Sequence, residues 1–200
     1  ELVLMKEWFT YEIVGKTLDD AAGEAFDKVA RMLGLPYPGG PAISKIADTA
    51  RSKSQKTNSK LPRPMLNSGT CDMSFSGLKT AALYALRGKN LTPDEIAAFA
   101  AEFEEAVADV LVSKTRKALW DTGAQTFVIG GGVAANRYLR EKLEALVLDE
   151  FPDVDLRLPE LSITGDNAIM IAHAALARTL SGIKENSADI RAVGNLSLAD

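Results

Sequence analysis

The run Phe127-Val-Ile-Gly-Gly-Gly-Val-Ala-Ala-Asn-Arg137 passes from an apolar strand through three glycines into helix-forming residues. Without Cβ atoms, Gly130, Gly131 and Gly132 let the backbone turn sharply and approach a ligand closely. A helix starting near Val133 directs the positive end of its dipole at the same spot, and Asn136 then sits one turn in, facing the ligand. Bare N–H groups of the main chain meet a phosphate in this way. The segment taken alone fits equally well a strand-to-helix turn whose glycines only solve a packing problem.

The residues around it extend the pattern. A strand over 127–129, a helix over 133–146, a strand over 154–158 and a helix over 166–180 make a β-α-β-α run. Asp166-Asn167 opens the last helix, and an aspartate there ordinarily satisfies the orphan N–H groups of the helix end. Both helices nevertheless start at the carboxyl ends of neighbouring strands, where open α/β sheets bind ligands, so the glycine turn and Asp166 should face one crevice.

The preceding segments read as an α/β beginning followed by a mostly helical stretch. Leu2-Val-Leu-Met and Tyr11-Glu-Ile-Val form a hairpin of short strands. Thr17 is placed to cap a helix running to about Leu33, with Asp19 and Asp20 in its first turn. Gly34 ends it, Pro36-Tyr-Pro-Gly-Gly-Pro41 is a rigid turn, and a second helix spans about 42–51. An extended connector covers 61–65, and Ser74-Phe-Ser-Gly-Leu-Lys-Thr80 leads into a helix ending near Gly88. Thr92-Pro-Asp-Glu95 is a capping box. It opens a long amphipathic helix, with Ile96, Phe99, Phe103, Val107, Val110 and Leu111 as its core stripe and an end near Gly123. Domain boundaries follow: hairpin and helix of an α/β core over 1–41, a mainly helical insert over 42–124, and a C-terminal α/β lobe over 125–200.

Composition narrows the function classes. The 200 residues are 46% hydrophobic, enough for a real core, and no apolar run approaches the roughly 20 residues of a membrane span. One cysteine, Cys71, excludes an internal disulfide and suits a reducing cytosol. Net charge is −4, so any contact with nucleic acid has to be local. The candidate is the acid-free segment 51–63, which holds Arg51, Lys53, Lys56, Lys60 and Arg63; its polar filling reads first as a solvated, mobile loop and second as a phosphate-backbone contact. The single histidine, His173, lies in an apolar helix and supports neither a Ser-His-Asp triad nor a two-histidine zinc motif. Asp27, mid-helix, becomes interesting only through Gly39-Gly40: a chain folding back at Gly34 could bring the carboxylate beside glycine amides, a pairing that suits a ribose hydroxyl.

Four segments together resemble one family: Asp19-Asp-Ala-Ala-Gly-Glu-Ala-Phe-Asp-Lys28 with Tyr37-Pro-Gly-Gly-Pro41, Ser74-Phe-Ser-Gly-Leu-Lys-Thr80, Gly130-Gly-Gly-Val-Ala-Ala-Asn-Arg137, and Thr164-Gly-Asp-Asn-Ala-Ile-Met-Ile-Ala172. In order and spacing they look like the bacterial branch of TsaD, the tRNA threonylcarbamoyladenosine transferases once labelled glycoproteases. The resemblance implies an actin-like ATPase fold with ribonuclease-H-like lobes around a nucleotide cleft. It implies transfer of a threonylcarbamoyl group from threonylcarbamoyl-adenylate to the exocyclic amine of the adenosine just 3′ of the anticodon, position 37 of tRNA. By motif matching, Asp27, Gly40 and Asn136 would hold the adenylate. Asp166 would be the carboxylate ligand of one divalent metal ion, iron or zinc, and an adenylate or ATP-type nucleotide would be the ligand. The implied partners are tRNA and TsaB- and TsaE-type proteins, in the cytoplasm and away from membranes.

The chain departs from the family pattern in two places. Ser44 stands where some relatives carry an acid that touches the substrate, and the histidine pair and Ser-Gly-Gly-His loop of the first lobe have no counterpart. The expectation is therefore a chain truncated at its N-terminus that on its own binds the metal poorly and transfers nothing. A non-catalytic actin-like dimerisation platform and a kinase of the same fold are the competing readings; joint retention of Asp27, Asn136 and Asp166 weighs against the platform.

Overall fold

In the computed structural model, residues 1–165 and 167–183 are described. Strands β1 (Leu2–Glu7) and β2 (Thr10–Gly15) pair antiparallel, as the hairpin pattern predicts. Four helices follow: α1 (Ala22–Met32), α2 (Gly39–Ser52), α3 (Ser76–Leu86) and α4 (Pro93–Thr122). Strand β3 (Thr126–Val128) leads through a 3-10 turn (Gly132–Ala135) into α5 (Arg137–Glu150). Strand β4 (Asp155–Arg157) pairs parallel with β3, and α6 (Ala168–Leu180) is the last element among the described residues. The architecture is mixed α/β with two small two-stranded sheets among the described residues.

The element with the strongest local signals forms where its sequence predicts. Thr92 accepts from the amide of Glu95, the Glu95 carboxylate accepts from the amide of Thr92, Pro93 fills the first helical position and Gly123 closes α4 at φ 62°. At 30 residues α4 is about 45 Å long, which lets it serve two cores. Its first half packs with α1, α2 and α3 through Phe26, Val29, Ile43, Phe75, Leu78, Phe103 and Val107. Phe26 and Phe103 meet edge to face, with ring centroids 5.2 Å apart. Ala108 joins Leu139, Leu143 and Leu146 of α5 in the second core, roofed by Phe127 and Ile129.

Two expectations fail because distant groups outbid the local signals. The first helix does not begin at Thr17. Residues 16–20 pair instead with 72–76: Leu18 N–H donates to Met73 O at 2.9 Å and Met73 N–H to Lys16 O at 2.8 Å. Asp19 caps α3 rather than its own helix, accepting from the amides of Phe75 (2.8 Å) and Ser76 (3.2 Å) and from the hydroxyls of Ser74 and Ser76. The Ser-Phe-Ser-Gly motif is thereby a receptor for an internal carboxylate. Asp20 completes the join by pairing with Lys28 and Lys79.

The second concerns the basic segment 51–63, which is strapped to α4 rather than freely solvated. Arg51 pairs with Glu104, Lys53 with Asp94, and Arg63 with both Glu102 and Asp109. Glu102 also accepts the Leu61 amide at 2.9 Å. Much of the charge that the segment shows in sequence is cancelled by acids 39 to 53 residues further on. Lys56 and Lys60 stay exposed.

Candidate active site around the glycine turn

The carboxyl ends of β3 and β4 point the same way, and the loops leaving them are joined by Arg140 of α5. Its guanidinium donates to Ala134 O at the end of the glycine turn and to Pro159 O, 2.7 Å away, after β4. This is the topology that the β-α-β pattern predicts for a ligand crevice.

Within the turn, the glycines separate the two readings that sequence left open. A Cβ built on Gly130, Gly131 or Gly132 meets nothing within 4 Å. Only Gly131, at φ 81°, needs glycine for its backbone conformation. Internal packing therefore asks for no glycine at 130 or 132, and the space beside them is open. The amides of Gly130 and Gly131 have no acceptor among the described residues.

Asn136 differs from its expected place. It is the N-cap of α5, not a residue one turn inside a helix, because the 3-10 turn takes up residues 132–135 first. Its Oδ1 accepts from the Leu139 amide at 2.8 Å. Its Nδ2 donates to Glu104 Oε1 at 2.6 Å and to Ser44 Oγ at 3.1 Å.

Asp27 and the N-terminus of α2 meet as the fold-back at Gly34 predicts. Asp27 Oδ1 accepts from the Gly39 amide at 2.7 Å. The two glycines of that turn are the first turn of α2, which begins at Gly39 rather than near Ala42. A Cβ on Gly39 would lie 2.6 Å from Asp27 Cα, so that glycine is demanded by packing, whereas one on Gly40 meets nothing within 4 Å. Ser44, one helical turn beyond Gly40, donates to Glu104 Oε1 at 2.5 Å and accepts from Asn136. Phe26, next to Asp27, lines one small hollow with Glu104, Val133 and Asn136. The structure thus gathers Asp27, Gly40 and Asn136 in one region, through α1, α2 and the cap of α5. Asp166 lies outside the described residues; the cap of α6 is Asn167, whose Oδ1 accepts from the Met170 amide at 3.1 Å.

The group that sequence reasoning passed over is Glu104. It is 1% exposed and accepts from Ser44, Asn136 and Arg51, whose Nη1 is 2.6 Å from Oε2. Arg51 in turn lies over the Tyr138 ring at 3.6 Å. A signal existed: Glu104 falls on the stripe of Ala100, Phe103, Val107 and Ala108, and a carboxylate on an apolar helix face has to be explained by partners.

Among the described residues no three His, Cys, Asp or Glu side chains gather as a metal ion requires, and His173 is exposed on α6. These residues by themselves do not fit a divalent ion. Among them, too, no helix is long and apolar enough to cross a membrane.

The model of the family TsaD, tRNA N6-adenosine threonylcarbamoyltransferase, matches residues 1–173. The chain belongs to the TsaD family. TsaD relatives named tRNA N6-adenosine threonylcarbamoyltransferase include that of Listeria innocua, 46% identical over 205 residues and covering all of this chain and 57% of the relative. The protein of Thermosipho africanus is 44% identical over 99% of this chain and 58% of its own length, and that of Nitrosospira multiformis 46% identical over 88% and 50%. The chain spans little more than half the length of these TsaD proteins.

Proposed function

We propose that this chain is the adenylate-holding part of a tRNA N6-adenosine threonylcarbamoyltransferase. The observation that carries the proposal is the open glycine turn. Gly130 and Gly132 serve no internal packing, two amides lack acceptors among the described residues, Asn136 follows the turn and is bound to Ser44 of α2, and Asp27 holds the Gly39 amide next to Gly40. That combination suits a nucleotide phosphate at bare amides and a ribose hydroxyl near the Asp27 carboxylate. The wider frame is an actin-like, ribonuclease-H-like ATPase fold, with 1–41 and 125–200 as its α/β parts and 42–124 as the helical insert.

In the proposed reaction the exocyclic amine of adenosine 37 of tRNA attacks the carbamoyl carbon of threonylcarbamoyl-adenylate. A C–N bond forms, the bond from that carbon to the phosphate oxygen breaks, AMP leaves, and the amine gives up one proton. The residues of this chain bind and orient the adenylate. A divalent ion, iron or zinc, would be held by Asp166 with histidines from outside this sequence, and would supply Lewis acidity. TsaB- and TsaE-type proteins and a cytoplasmic setting belong to the same proposal.

The test is a protein of the relatives' full length carrying this sequence, given threonylcarbamoyl-adenylate and unmodified tRNA, with the nucleoside read by mass spectrometry. Modified adenosine is expected, reduced about tenfold or more by Asp27→Ala, an effect of about 1.4 kcal/mol on the transition state. The chain alone is expected to transfer nothing. Failure of the full-length protein to modify tRNA would refute the proposal.

A further inference from the structure

We propose that Glu104, clamped by Arg51, is the positioning residue that sets Asn136 and the glycine turn for the adenylate, a role resting on the function proposed above. Burying a carboxylate costs several kcal/mol unless charge and hydrogen bonds compensate. At this position in α4 an alanine or leucine would satisfy the core, yet the chain places a carboxylate there and surrounds it with three donors: Ser44 in the first half of α2, Arg51 at its end, and Asn136 at the cap of α5.

The choice of asparagine at 136 follows from the same contact. Capping α5 needs only an acceptor, which aspartate or serine would supply as well. The Nδ2 group is what Glu104 requires, since an aspartate there would put two carboxylates at hydrogen-bonding distance. Glu104 therefore dictates which end of the carboxamide faces the Leu139 amide and which faces α4. Through that cap it fixes where the 3-10 turn ends and how Gly130 to Gly132 are presented. Through Ser44 it holds α2 one turn from Gly40. Arg51 closes the arrangement by lying on Tyr138 of α5. One buried side chain thus sets the relative place of the two glycine-bearing segments that flank the proposed ligand.

Glu104→Gln tests this without leaving a cavity. The substitution keeps the volume but turns an amide donor on a ring of donors, whereas Glu104→Asp keeps the charge on a shorter stem. The readouts are AMP binding by the chain, followed by NMR titration, and the side-chain amide signals of Asn136. Wild type is expected to bind AMP; Glu104→Gln should weaken it tenfold or more with displaced Asn136 signals, and Glu104→Asp should recover part of the loss. Should Glu104→Gln not fold, Ser44→Ala removes one Asn136 partner and should weaken AMP about threefold. A folded Glu104→Gln protein, or in its absence Ser44→Ala, that binds AMP within a factor of 1.5 of wild type overturns the positioning role alone. No AMP binding by wild type overturns the adenylate proposal and this inference with it.

Discussion

Gly39 and Gly40 are neighbours in sequence and are glycines for different reasons. A methyl group on Gly39 would press on main-chain atoms of α1, 2.6 Å from Asp27 Cα and 2.8 Å from Phe26 O, which cannot yield unless the helix moves. Gly39→Ala is expected to cost about 1–3 kcal/mol. Gly40 is helical with open space beside it, so Gly40→Ala should stabilise by about 0.5–1 kcal/mol through the unfolded chain. Urea denaturation of the two variants checks this, and equal effects would show that α1 and α2 do not approach closely enough to exclude a methyl group. Because the open space at Gly40 is where the adenylate is proposed to lie, the same Gly40→Ala protein should bind AMP more weakly than wild type. Asn136 shows the limit of reading single residues: its spacing after the glycines is plain in sequence, but its partners Ser44 and Glu104 are 92 and 32 residues away.

At the scale of elements, α3 owes its start to a carboxylate from another segment. Burial tends to raise the Asp19 pKa, but donors from Ser74, Ser76 and the amides of Phe75 and Ser76 outweigh it and hold it at about 2 against an ordinary 3.8. A folded-state value below the ordinary one means that the stabilisation is present above about pH 4 and disappears as pH falls towards 2. The Asp19 side chain is well exposed, so solvent screening leaves roughly 1 kcal/mol. Asp19→Asn should therefore be less stable than wild type at pH 7 by about that amount, with the gap shrinking at pH 2.5. Denaturation curves showing an unchanged gap would rule out the charge as the cause. The start of α4 is local by contrast, and Thr92→Ala is expected to cost about 1 kcal/mol by removing the cap.

For the molecule as a whole, α6 is the least covered of the described α-helices, although Arg178 lies 5.7 Å from the Phe9 ring. It is apolar apart from His173, Arg178 and Thr179, with Ile171 64% and Leu180 79% exposed, and none of its residues is buried. Helices of that kind are stable when covered, and 13 residues alone are marginal in water. In the chain by itself, amide exchange measured by mass spectrometry should be fast across 168–180 and slow across the middle of α4. Comparable protection in both would show that α6 is held by contacts other than those described.

The β3-α5-β4 unit was legible from its alternation of elements, although its parallel ladder joins Thr126 to Asp155 across a whole helix. Beyond it, sequence alone determined the elements whose bonds close within a few residues: the turn of the hairpin and the capping box and glycine end of α4. Those signals act over three or four positions, so spacing encodes them. Tertiary structure alone decided where Thr17 and Asp19 are spent, how segment 51–63 is neutralised, and that a buried Glu104 joins α2, α4 and α5. Those hydrogen bonds cross 56 residues at Asp19 and 60 at Ser44. A bond at such separation forms only after packing has brought the helices together, and nothing in the local pattern of either partner announces the other.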